Sequence, residues 1–422
     1  MNCINEPARE TPVMGSFDVA VCGGGPAGVA AALKAGRDGA ETILVEQHGC
    51  LGGIWTAGLL AVFLDSQNKD GMMRELIERL NGMNARTDEV DLRRPAFDPE
   101  KVKLLLDELC AEASVNVRLY TRVADARVDN DRLTHAVLES ASGREAIGAD
   151  CFIDCTGDGH LGWLAGCDFE MGHPNTGQVQ PMSLILLLSG VRADEVSEFY
   201  RSSDDMDWSA PKRHLREAME QGGCSPSYSR PTLIHIRDDL FALMANHEYG
   251  YHGTDADDLT EATVEARREV HNLIDGLRSP GGPWKNVHIV ATADQIGVRE
   301  GRRLKGIYTV SQDDMVEGSR HPDAVCRTTF PVDVHSLDPA KQKGIEPSEI
   351  DVQPYDIPLR ALVSADVEGL MMAGRCISGD FLAHSSYRVA GNAVAMGEAT
   401  GKTAAEASRS GTTPREIALS YH

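Results

Sequence analysis

The most legible chemistry in this chain is carried by three glycines and an acid: Gly23, Gly25, Gly28 and Glu46. In the pattern Gly23-x-Gly25-x-x-Gly28, the first glycine permits a tight turn and the second lets the backbone come close to a pyrophosphate. The third, with Ala32, lets a helix lie against a sheet. The helix N-terminus offers N–H groups and a positive dipole end to the phosphates. Glu46 stands 18 residues beyond Gly28, where a carboxylate can accept both hydroxyls of a ribose.

Such residues work only if the right elements position them. Phe17 to Val21 reads as a buried strand, the small residues after Gly25 as a helix, and Thr42 to Val45 as a second strand ending at Glu46. Strand, glycine turn, helix, strand and acid together make a specific dinucleotide-binding unit, which an isolated glycine pattern does not. The glycine pair Gly52-Gly53 follows, suited to close approach to a flat ligand. The spacing predicts helices over 71–82 and 98–113, the latter with Asp98 as N-cap and Pro99 at its first position. Alternating segments from Val115 to Asp129 and Leu133 to Ser140 read as strands, separated from the next by the turn ASGRE. A buried strand over 149–156 runs into Gly157-Asp158-Gly159.

The texture changes from Gly166 to about Asp351. Short strands are expected over Ser183–Leu188, Thr232–Ile236 and Leu240–Ala245, and a long helix over about Leu259–Leu277, capped by Asp257 or Asp258. Nucleotide-fold texture returns in GLMMAGRCISG (369–379) and in the Ala/Gly-rich stretch 384–407. The expected fold class is α/β, with a Rossmann-like domain built from both ends of the chain (15–165 and 352–422). An inserted, mixed β-rich substrate domain (166–351) and a disordered leader (1–14) complete the layout.

A net charge of −23 argues against nucleic acid or an anionic membrane as partner, because counterion release needs a basic face. The leading residues lack the pattern of a signal peptide, and no apolar run reaches the roughly 20 residues of a membrane span, so a cytoplasmic location is expected. Ten cysteines without a CxxC pair read as reduced thiols. Cys50, Cys155 and Cys376 read as small packing residues. His235, His247 and His252 carry no carboxylate pattern that would make a metal site, although a strand–turn–strand would bring the first two together.

The motifs VCGGGPAG, CLGGIWTAGL, FIDCTGDGHLGWLAG, QIGVREGRRLKG, YDIPLRALV and GLMMAGRCISG…SSYRVAGNAVAMGEATGKTAA resemble, in order and over nearly the whole chain, the FAD-dependent oxidoreductase family of the glutathione-reductase-like superfamily. The resemblance implies FAD as cofactor, with Gly23, Gly25 and Gly28 at the pyrophosphate and Glu46 at the adenosine ribose. Val123 would meet the adenine, and Gly52 and Gly53 would pass along the flavin and ribityl chain. Asp158 would serve the pyrophosphate or ribityl region, and Gly374 and Arg375 a second close approach. Arg388, Gly391 and Asn392 would present a helix N-terminus to the flavin's pyrimidine edge. The chain departs from the family at Trp55, where a small hydrophobic residue is usual; this Trp is either a wall of the substrate site or core packing.

The implied activity is dehydrogenation or oxidation of a small polar substrate bearing a hydroxyl or amine, with hydride passing to the flavin. His384 is the expected base, since its ordinary pKa suits neutral pH, and Tyr387 is a second candidate. If the basic segment is a helix, Gln295, Arg299 and Arg302 share a face, and Arg299 could anchor a substrate carboxylate. Two other readings stand beside this one: a flavin monooxygenase, and a non-catalytic electron-transfer or assembly flavoprotein. The absence of a second GxGxxG unit and of a redox cysteine pair argues against a disulfide reductase. Covalent flavin attachment through His48, Cys50 or Cys376, the electron acceptor and homo-oligomerisation stay open.

Overall fold

The computed structural model describes residues 3–5, 7–85, 95–201, 209–348 and 350–421. Its elements are β1 (Val13–Cys22), α1 (Pro26–Arg37), β2 (Thr42–Val45), α2 (Met72–Gly82), α3 (Pro99–Glu112), β3 (Asn116–Arg118), β4 (Arg122–Asp129), β5 (Arg132–Ser140) and β6 (Gly143–Asp154). There follow α4 (His160–Leu164), β7 (Phe169–Glu170), β8 (Leu186–Ser189), α5 (Ala210–Gln221), β9 (Thr232–Arg237), β10 (Leu240–Met244), α6 (Ala256–Arg278), β11 (His288–Thr292) and β12 (Arg303–Leu304). The chain closes with α7 (Gln312–Glu317), β13 (Ala324–Thr328), β14 (Tyr355–Pro358), β15 (Leu370–Met372), α8 (Phe381–Tyr387), α9 (Ala390–Ser410) and α10 (Pro414–Leu419). Within the segment read as a leader, Val13 and Met14 already belong to β1, while Met1, Asn2 and Glu6 lie outside the described residues.

The main sheet runs β3-β2-β1-β6-β5-β4, with β15 also paired to β6. The pairs β1–β2, β2–β3, β1–β6 and β6–β15 are parallel. Register places Cys22 beside both Val45 and Asp154, and Asp154 beside Met372. Four strands therefore end at one edge, where ligands of such sheets bind. Helices α1 and α9 pack on each other and on this sheet. They pack at backbone contact: a Cβ on Gly397 would fall 2.0 Å from Ala27 O, and one on Gly401 2.1 Å from Ala31 O.

A second sheet, β11-β8-β10-β9, is antiparallel. Its central strands, β8 and β10, are apolar on both faces. Leu186, Leu188, Phe241 and Leu243 join a core with Val270, Ile274 and Leu277 of α6. Leu187 and Ala242, one residue out of phase, join the core of the main sheet. The period-2 alternation of a strand explains the split. The sheet is sandwiched, which is why LILLL carries no polar residue.

Three local expectations change. Helix α6 begins at Ala256, capped by Asp255, which accepts from the N–H groups of Asp257 and Asp258. The turn before β6 is shorter than ASGRE, since Gly143 to Glu145 already belong to the strand. The segment 293–302 is not helical, with a bend at Asp294 and Gln295 and a single bridge at Gly297, so Gln295, Arg299 and Arg302 share no helix face. Its path explains this: Gly297 N–H bonds Ser183 O at 2.8 Å, and a Cβ on Gly301 would lie 2.2 Å from Asp158 Oδ1.

Candidate functional site

The glycine turn is closed by contacts that only glycine permits. Gly23 has φ +102°, and a Cβ there would fall 2.4 Å from Cys155 O. A Cβ on Gly28 would fall 1.8 Å from Gly23 O, whereas one on Gly25 would meet nothing within 4 Å. Gly23 and Gly28 are thus packed, and Gly25 opens outward at the N-terminus of α1, where no side chain caps the helix. Glu46 is buried and fixes the turn: Gly24 N–H donates to its Oε2 at 2.6 Å and His48 N–H to its Oε1 at 2.8 Å. Each carboxylate oxygen keeps a lone pair for a ribose hydroxyl.

Gly52 and Gly53 lie against this turn. Gly52 N–H donates to Gly24 O at 2.8 Å, and a Cβ on Gly53 would fall 2.9 Å from Gly25 Cα. At the end of β6, Asp154 accepts from Thr156 N–H, Thr156 Oγ1 and Gly162 N–H, which shapes the TGDG turn. Asp158 then pairs with Arg375 at 3.0 Å, and Gly374 approaches Ala27 of α1. Val123 is buried in β4 opposite Leu138. Gly391 N–H donates to Leu64 O at 2.9 Å, so this N–H of the first turn of α9 is already engaged.

Several polar atoms here are buried without a partner from the chain: Arg375 Nη1, Arg388 Nε, Gln295 Oε1 and the whole amide of Asn392. Buried polar groups are almost always hydrogen-bonded. Donors and acceptors left over around an outward-opening glycine turn fit a large polar ligand such as FAD.

A cavity of about 190 Å³ lies between the segment after Gly53 and the second sheet, lined by Leu60, Val62, Leu64, Tyr228, Met244, Phe330, Asp333 and His335, among others. Behind it runs a continuous polar network. Arg303 bonds Glu300, and Glu300 Oε2 accepts from Gln180 Nε2 at 3.1 Å. Gln180 Oε1 accepts from His335 N–H at 3.0 Å and Arg388 Nη2 at 3.2 Å. Arg388 also donates to Asp333 O at 2.7 Å. Burial pushes the Asp333 carboxyl up, but His335 and the guanidinium groups of Arg388 and Arg299 more than offset it, so the group sits well below the usual carboxylate range. Burial and Arg299 hold His335 down to about 3, a neutral ring at pH 7.

Arg299 donates to Pro181 O at 2.6 Å and Ser183 Oγ at 2.9 Å, and reaches Met244 Sδ at 3.5 Å. No carboxylate hydrogen-bonds it among the described residues, and burial followed by the Arg388 charge lowers its guanidinium to about 10. Arg302 instead stacks on Trp163 and Phe169. His384 is fully buried in α8, with both ring nitrogens unpartnered and Glu300 4.0 Å away. Burial, then Arg303 and Arg388, keep it well below an ordinary histidine. Tyr387 donates to Ile377 O at 3.0 Å and is wedged against Gly379. Trp55 is 1% exposed and packs edge-on to Phe63 and Phe97. His235 contacts Asp238 O, while His247 contacts His335; the two do not meet. Among the described residues no cluster of His, Cys, Asp and Glu could hold a metal ion, and no helix is long and apolar enough to cross a membrane. Asp333 and His335 were not singled out from the sequence, although their i, i+2 spacing in PVDVHS would set them on one side of an extended segment.

Fold and glycine turn together are those of a flavoprotein. The chain belongs to the FAD-dependent oxidoreductase family, whose model matches residues 18–421; FAD is its cofactor. It is similar in fold to a flavin-dependent brominase (12% identity, 96% of this chain and 82% of that one, TM-score 0.53). A p-nitrophenol 4-monooxygenase from Pseudomonas putida is similar to the same degree (12%, 97% and 84%, 0.52). So is a geranylgeranyl bacteriochlorophyll reductase-like protein from Thermoplasma acidophilum (13%, 96% and 82%, 0.50). No curated protein matches the chain.

Proposed function

We propose that this FAD-dependent oxidoreductase dehydrogenates a small, carboxylated substrate bearing a hydroxyl or amine, bound in the cavity beside Asp333. The carrying observation is the Asp333 carboxyl in the wall of a cavity lined by the apolar Leu60, Val62 and Leu64 and by the basic Arg201 and Lys212, with burial opposed chiefly by His335, which holds it below the usual carboxylate range. FAD, when bound, supplies the hydride-accepting chemistry. The chain supplies orientation and proton handling. Arg299, held by Pro181 O and Ser183 Oγ, sets its Nη2 against Met244 of the cavity wall, and would meet a substrate carboxylate that displaces this thioether contact. Asp333 takes the hydroxyl or ammonium proton. Of the candidate bases, it lines the cavity, whereas His384 is enclosed on every side. Arg388 bridges the N-terminus of α9 and Asp333, tying substrate position to cofactor position. In this reading the glycine turn, Glu46, Asp158 and Asn392 hold the cofactor as in glutathione-reductase-type folds, with residues 166–351 as the substrate-binding part.

The second reading is a monooxygenase, favoured by the fold shared with the p-nitrophenol 4-monooxygenase. A direct test is anaerobic single turnover of the FAD-loaded protein with hydroxy acids and amino acids, set against their methyl esters. Product from the acids alone supports the proposal. Equal turnover of the esters removes Arg299 from it, and no product from any donor overturns it.

A further inference from the structure

His335, which lines the cavity, and His247, far from it in sequence, stand in line with a carboxylate and a phenol. His335 Nε2 lies 3.3 Å from Asp333 Oδ2, within ion-pair contact. His335 Nδ1 lies 2.9 Å from His247 Nε2. His247 Nδ1 lies 3.1 Å from the Tyr249 hydroxyl. Both rings are buried, at 4% and 2% exposure, while Tyr249 is half-buried and next to the exposed Gly250. Tyr228 stacks on His247 at 4.2 Å and fixes its plane.

We propose that Asp333 exchanges its proton with the molecular surface through a relay of His335, His247 and Tyr249. The assignment of Asp333 as substrate base rests on the dehydrogenase reading; the relay itself rests on the four groups. A neutral imidazole has one donor and one acceptor nitrogen, so the hydrogens follow from the network. With Asp333 ionised, the Tyr249 O–H points to His247 Nδ1, the His247 Nε2–H to His335 Nδ1, and the His335 Nε2–H to Asp333. With Asp333 protonated, all three links run the other way: Asp333 O–H to His335 Nε2, His335 Nδ1–H to His247 Nε2, and His247 Nδ1–H to the Tyr249 oxygen. The two states differ by one proton. Passing from the second to the first, each member hands on one hydrogen, and Tyr249 releases one to water while Asp333 recovers its charge. No link is left unpaired in either state. A purely structural histidine pair would need only one of them. Arg299 and Arg388 on one side, and Glu248 and Glu269 beyond Tyr249, are the charged groups around the chain.

The test uses full-length, FAD-loaded protein labelled with 15N-histidine, its signals assigned with His247→Gln and His335→Gln. At pH 7 both rings should be neutral Nε2–H tautomers. In Tyr249→Phe, exchange of the His335 Nε2–H with water should slow by about tenfold, the kinetic equivalent of one lost hydrogen bond. His247→Gln breaks the chain one link further in and should slow the same exchange, which supplies a second variant should Tyr249→Phe fail to fold. An Nδ1–H tautomer or imidazolium at His335, or an exchange rate indifferent to both substitutions, overturns the relay. The readout needs no substrate, so a failed substrate screen leaves the relay standing, and a failed relay leaves the dehydrogenase reading standing.

Discussion

Arg388 Nη2 lies 2.7 Å from the carbonyl oxygen of Asp333 and 3.5 Å from its carboxylate. One residue thus joins the turn that opens α9, on the cofactor side, to the wall of the cavity. Arg388 holds the Asp333 backbone in place and, after His335, helps to hold its carboxyl below the usual range. If it is the base, Asp333→Asn should slow anaerobic flavin reduction by about 10²–10⁴-fold, the usual worth of general base catalysis. His384→Leu, which removes two unpartnered buried nitrogens, should change that rate by less than about threefold, since it removes no group facing the substrate. Stopped-flow reduction with one donor compares them; the reverse ranking would return the base to His384.

Arg299 should act on binding more than on chemistry. A hydrogen bond to a charged group is worth about 1.5–3 kcal/mol. Arg299→Lys should therefore raise KM for a carboxylated donor about 10–100-fold and leave kcat within a few-fold. Steady-state kinetics on acid and ester separate the two, since the ester should not feel the change.

Glu46 braces the glycine turn through Gly24 N–H and His48 N–H. Glu46→Gln keeps one acceptor oxygen and offers an amide to the other donor. FAD affinity should fall by about 10–100-fold, matching a lost charge-assisted bond. Fluorescence titration of the apoprotein with FAD reads this without any substrate.

The α1–α9 contact tolerates no added carbon. Gly401→Ala should destabilise the protein by about 1–3 kcal/mol, the ordinary cost of overpacking. Gly82→Ala, where a Cβ meets nothing within 4 Å, should be neutral or stabilise by up to about 1 kcal/mol. Urea midpoints of the two variants make the comparison.

Glu248 gives a signed pH dependence. Burial raises its carboxyl from 4.5 to about 7, with Glu269 and Glu265 adding to the rise and the Asn246 donor opposing it. The folded state thus binds this proton more tightly than the unfolded chain. Stability contributed by the group is lost as pH climbs from 4.5 to about 7. Glu248→Gln should gain on the wild type across that window and hold a constant advantage above it. Denaturation midpoints at several pH values check the sign, and an advantage that grows on acidification would contradict it.

The cradle was legible in the sequence because its parts are local. Gly23 to Glu46 is one strand–helix–strand unit, and Gly23 and Gly28 each have a steric reason that the spacing already suggests. Asp98 as the cap of α3 was legible for the same reason. The polar line behind Asp333 was not, because His335 meets His247 from 88 residues away, and no periodicity encodes that meeting. Arg299 was singled out on the basis of a helix that Gly297 and Gly301 prevent; it touches Met244 of the cavity wall from a non-helical segment. His384 looked available beside a glycine-rich turn, but its enclosure by Glu300, Arg303 and Tyr387 is a tertiary fact.

The most direct test of the account is an anaerobic titration of the FAD-loaded protein, following the flavin band near about 450 nm. Hydroxy acids and amino acids are added first, then NADH and NADPH. The account predicts that an organic acid bleaches the band with no nicotinamide present, and that Asp333→Asn suppresses this. Bleaching by NADPH alone would contradict it and favour the monooxygenase.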